Sequence, residues 1–82
     1  MNNEQKQALK NSKMLEQEKR LIEQEISKTQ REMAVALNQF ETAIEPDLID
    51  YYTYVYKASM AKYDYLIKSL RALYNSKASR NK

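Results

Sequence analysis

The chain has no glycine, no cysteine and no histidine, and a single proline, Pro46, in 82 residues. Each absence closes off some chemistry. Sheets need tight turns, and turns lean on glycine and proline, so their scarcity points to long uninterrupted helices. Without cysteine there are no disulfides and no thiolate metal sites, which suits a reducing compartment. Without histidine, the usual zinc sites, imidazole acid–base catalysis and serine–histidine triads are closed to the protein. Long apolar runs are missing too. No stretch approaches membrane-spanning length, and "MNNEQKQALKNSKMLEQEKR" lacks the apolar centre of a signal peptide. A soluble, cytoplasmic protein is the expectation, with no membrane, cofactor or metal among its partners.

At this length the chain is one domain, residues 1–82, of a size where a single core stabilises only marginally. Such chains often gain stability by associating with copies of themselves. Net charge is +3, with residues 1–45 at −1 and residues 46–82 at +4. The second half is mildly basic, well short of a dedicated nucleic-acid arm.

Pro46 divides the chain. The residue before a proline is pushed out of helical conformation, whereas proline itself suits a first helical turn. The pattern predicts helix 1 over about 10–42, a turn over 43–46 and helix 2 over about 47–75, with frayed ends at 1–9 and 76–82. Asp47 reads as the cap of helix 2, with Asp50 three residues on in the manner of a capping box.

Helix 1 carries one narrow apolar line: Leu15, Ile22, Ile26, Thr29, Met33, Ala36 and Phe40. Helix 2 carries an equivalent line: Leu48, Tyr52, Val55, Ser59, Lys62, Leu66 and Leu73. Both step by three and four residues, the mark of a heptad seam. Folded back at Pro46, the lines pair in one register: Phe40 with Leu48, Ala36 with Tyr52, Met33 with Val55, Ile22 with Leu66, Leu15 with Leu73. The polar members, Thr29 and Ser59, face each other in mid-seam. Ile26 meets Lys62, whose stem can lie along the isoleucine. The expected fold is all-α, an antiparallel two-helix hairpin resembling a coiled coil, with arms of roughly 40–45 Å at 1.5 Å per residue.

Six of the seven tyrosines fall between Pro46 and Leu66. They give helix 2 two further apolar lines, Tyr51–Tyr54–Ala58–Ala61–Tyr65 and Tyr56–Met60–Tyr63. One narrow partner helix cannot cover three lines, and a large bare aromatic patch marks an interface. The expectation is a homo-oligomer through helix 2, with a dimer forming a four-helix bundle favoured. Tyrosine suits this role because its ring packs while its hydroxyl reaches water. The alternative is nucleic acid, with tyrosines as stacking platforms and Lys57, Lys62, Lys68 and Arg71 on phosphates. Three of those cations lie on the polar side of helix 2 among aspartates, so packing is the favoured reading.

Catalysis is not expected. Glu41, Glu45, Asp47 and Asp50 form the carboxylate cluster at the turn, and helix capping explains it better than a cation site. Met14, Met33 and Met60 read as packing.

The stretch "PDLIDYYTYVYKASMAKYDYLIKSL" within Phe40–Leu70 resembles the YaaL-like family, short bacterial proteins classed as a domain of unknown function. The resemblance rests on Pro46-Asp47-Leu48-Ile49-Asp50, on Lys57-Ala58, and on a closing box of Lys62, Tyr63, Tyr65 and Leu66. Lys62 stands where the family more often has arginine, which keeps the charge and loses a planar donor. Relatives are often encoded beside DNA-replication and recombination genes, so the resemblance implies a partner in those pathways. The reading as a whole is a non-catalytic protein–protein interaction or adaptor module.

Overall fold

The computed structural model describes residues 2–80, with side chains through residue 75. Two helices account for nearly all of it: α1, Asn3–Thr42, and α2, Pro46–Arg80. They pack on each other as a hairpin, a rod of 65 × 20 × 13 Å.

Both helices are longer than the apolar periodicity indicates. α1 begins at Asn3, seven residues before the expected start, because Asn2 caps it. The Gln5 N–H donates to Asn2 Oδ1 at 2.8 Å, and Gln5 Oε1 accepts from the Asn2 N–H at 3.2 Å. This reciprocal capping box satisfies two otherwise unpaired donors. The Glu, Gln, Lys, Ala and Leu that follow are strong helix formers needing no core contact. Residues 3–9, expected within a frayed end at 1–9, are thus part of α1. Likewise α2 continues to Arg80, past the expected end near 75. Residues 1, 81 and 82 lie outside the described residues.

The connection is three residues, 43–45, with no positive φ among the described residues. Ala43 leaves α1 extended (φ −71°, ψ 139°) while its N–H still bonds to the Gln39 carbonyl at 2.9 Å. Glu45 then plays the capping part expected of Asp47: its carbonyl accepts from Leu48 and Ile49 at 3.1 and 3.0 Å. Pro46 is the first helical residue, as its fixed φ and missing N–H favour. Asp47 sits in the first turn, where its charge meets the positive end of the helix dipole, and Asp50 lies beyond that turn.

The expected register agrees with the packing. Thr29, Ala36, Ser59 and Leu66 are the buried residues among those described, and all four belong to the two seam lines. Ala36, Tyr52 and Val55 border one groove; Leu15 and Leu73 border another. Leu15, Ile22, Ile26, Met33, Tyr52, Val55 and Leu73 are half-buried. At the turn end, Phe40 and Leu48 stay more than 40 % exposed, because nothing beyond the connection covers them. Lys62 carries its charge out of the seam: its Nζ lies 3.4 Å from Glu25 Oε2. Both side chains of that pair are nearly half exposed, so it contributes roughly 0–1 kcal/mol.

Candidate interaction surface

A two-helix seam hides one stripe of each helix and leaves two flanks. In a heptad arrangement residues seven apart share an azimuth, so the flanks can be followed along the rod. The first carries Tyr51, Ala58, Tyr65 and Ala72 on α2, with Tyr54 and Ala61 just outside them. On α1 it carries Met14, Leu21 and Val35. The two sets meet in a groove of about 360 Å³ where Glu32 and Val35 face Tyr51. The second flank carries Leu37 on α1 and Tyr56, Tyr63 and Met60 on α2. Its groove, about 250 Å³, is lined by Leu37, Phe40, Tyr52, Thr53, Tyr56 and Lys57.

Exposure separates the flanks. On the first, Tyr54, Tyr65, Leu21, Val35, Tyr51 and Met14 are between 51 and 70 % exposed. On the second, Leu9, Tyr74, Leu37 and Met60 are between 43 and 49 % exposed, while Tyr56 and Tyr63 are half-buried, Tyr56 beside Leu37 and Phe40 of α1. Of the proposed interface residues, Tyr51, Tyr54, Ala58, Ala61 and Tyr65 thus form one continuous open face, and Met60 lies on the other side. Tyr56 and Tyr63 are the less exposed of the set. Sequence reasoning missed the α1 contribution. Met14, Leu21 and Val35 look like isolated apolar residues in a charged helix, and their spacing of 7 and 14 was the signal.

The open face is partly preorganised. Tyr52, held in the seam, meets the Tyr51 ring edge-on, with centroids 5.0 Å apart and planes at 74°. Such pairs add about 0.5–1.5 kcal/mol beyond area burial and restrict the outer ring.

The four candidate nucleic-acid cations do not converge on this face. Lys57 borders the second-flank groove, Lys62 is paired with Glu25, and Lys68 and Arg71 border a depression with Tyr63, Asp64 and Ile67. Near the open end Lys19 lies 4.6 Å from the Tyr74 ring centroid. Its pKa is raised above the ordinary 10.5, chiefly by hydrogen bonding to the Tyr74 side chain and further by Tyr74, Glu16 and Glu23 charge, against some desolvation. Among the described residues no three carboxylates group closely enough to hold a metal ion, and no helix is long and apolar enough to cross a membrane. Comparisons with protein-family models, curated proteins and solved structures return no match.

Proposed function

We propose that the protein is a non-catalytic interaction module that self-associates through α2, as a dimer of hairpins forming a four-helix bundle. The observation that carries this reading is the first flank, six large apolar side chains on both helices left more than half exposed. Area supports it. A compact chain of 9.7 kDa exposes about 5,100 Å², whereas this one exposes 6748 Å², an excess of about 1,600 Å². A standard interface removes about 800 Å² from each partner, so the rod carries enough surplus surface for a stable dimer. Ala58 and Ala61 let two α2 helices approach closely. The second flank and the charged outer face of α1 remain for a different partner. The likeness of Phe40–Leu70 to the YaaL-like pattern suggests one in bacterial DNA replication or recombination, in a cytoplasmic setting.

Sedimentation equilibrium at micromolar concentration tests the proposal, with twice the chain mass expected. A well-folded monomer overturns it. Nucleic acid as direct ligand is the competing reading, and fluorescence anisotropy with single- and double-stranded oligonucleotides decides it: binding that weakens steeply with salt would favour that reading.

A further inference from the structure

The charges of this chain are sorted along the rod. Residues 32–56 hold five acids, Glu32, Glu41, Glu45, Asp47 and Asp50, and no base. Residues 2–13 and 65–80 together hold seven bases and one acid. Folding at Pro46 gathers the first group at the turn end and carries the others toward the opposite end of a 65 Å rod. Salt screens such charges beyond about 10 Å, so what matters is which end lies beside which in an assembly.

We infer that the second copy lies antiparallel to the first, with a two-fold axis crossing α2 at Ala58, so that each acidic turn end rests against the basic part of its companion. This depends on the self-association proposed above and adds its orientation and register. A parallel pair would stack five carboxylates on five and bases on bases, which disfavours it. The open face itself has the required symmetry. Tyr51 and Tyr65 stand seven residues either side of Ala58, and a perpendicular two-fold at Ala58 sets each Tyr51 against the second copy's Tyr65. The small alanine at the axis permits close approach, and two self-complementary tyrosine pairs flank it.

The same axis, with no further adjustment, matches the charges. Along the rod it brings the acidic turn, with Glu45 and Asp47, level with the part of the second copy that carries Lys68 and Arg71 beside the open face. Carried through the hairpin register to α1, it places Lys28 across from the second copy's Glu32, twice by symmetry. One axis therefore satisfies the aromatic spacing and the distribution of charge along the rod together, although these come from different residues.

The absence of native cysteine makes the test direct. Ala72→Cys, spin-labelled, lies on the open flank 14 residues from the axis; at 1.5 Å per residue the two labels should be about 42 Å apart. In a parallel dimer, with neighbouring helices 8–10 Å apart, they would be within about 20 Å. Ala58→Cys should cross-link to itself under mild oxidation, and Ala72→Cys should not. A dimer with short label distances overturns the antiparallel orientation while leaving self-association standing. A dimer with long distances in which Ala58→Cys fails to cross-link overturns the register. A labelled chain that sediments as a folded monomer and shows no dipolar coupling overturns the parent reading instead.

Discussion

Replacing Thr29 by valine should stabilise this protein. Thr29 is 0 % exposed, and its hydroxyl has no hydrogen-bond partner among the described residues. Other helix hydroxyls behave differently: Thr42 and Thr53 each donate to the carbonyl four residues back, as does Ser69. A buried hydroxyl without a partner costs about 1–3 kcal/mol of desolvation. Valine exchanges that hydroxyl for a methyl of similar shape, with similar helix propensity. The expected gain is therefore about 1–2 kcal/mol, or roughly 4–16 °C in Tm at 4–8 °C per kcal/mol for a domain of this size. Urea titration followed by helical circular dichroism, at one fixed protein concentration, measures it as a shift in midpoint at constant slope. Thr42→Val, on the surface, is the control and should change stability by no more than about 0.5 kcal/mol. If Thr29→Val leaves the midpoint unchanged or lowers it, the hydroxyl is satisfied in solution and the reasoning fails. The gain should come with looser register, because a polar layer in an apolar seam sacrifices stability for alignment.

Three further outcomes are expected. Leu66→Ala, at the one large apolar side chain that is buried among the described residues, should destabilise by about 2–5 kcal/mol in thermal unfolding. An effect below ~1 kcal/mol would mean the seam there is open. Asn2→Ala should cost at most about 1 kcal/mol globally while sharply lowering amide-exchange protection in the first turn of α1, since the capping box holds that turn. Lys19 has a raised folded-state pKa, so its contribution is present below about pH 10.5 and lost as pH rises through the higher folded value. The stability difference between wild type and Lys19→Met should therefore shrink above that pH, and a difference that grew instead would contradict the Lys19–Tyr74 contact.

The helical class, the division at Pro46 and the pairing register could be read from residue order alone. These depend on local chemistry and period. Glycine-free segments propagate helices, proline interrupts them, and two heptad lines sharing Thr29 and Ser59 as polar members align in one way. The capping box at Asn2 was equally local, but the lack of large apolar residues between Asn2 and Leu9 hid it, because periodicity is silent where nothing packs.

Side-chain exposure on the flanks was decided only in three dimensions. A helical wheel gives each residue an azimuth on its own helix. It does not say how far the opposing helix reaches around. That reach depends on the distance between the helices and on the bulk of facing side chains, so Tyr56 and Tyr63 are half-covered while Tyr54 and Tyr65 stand clear. The same geometry gave the Lys62 ammonium Glu25 as its partner, and joined Leu21 and Val35 to the tyrosine face. Order along the chain determined which residues could meet; the separation of the two rods determined which of them remain open to another molecule.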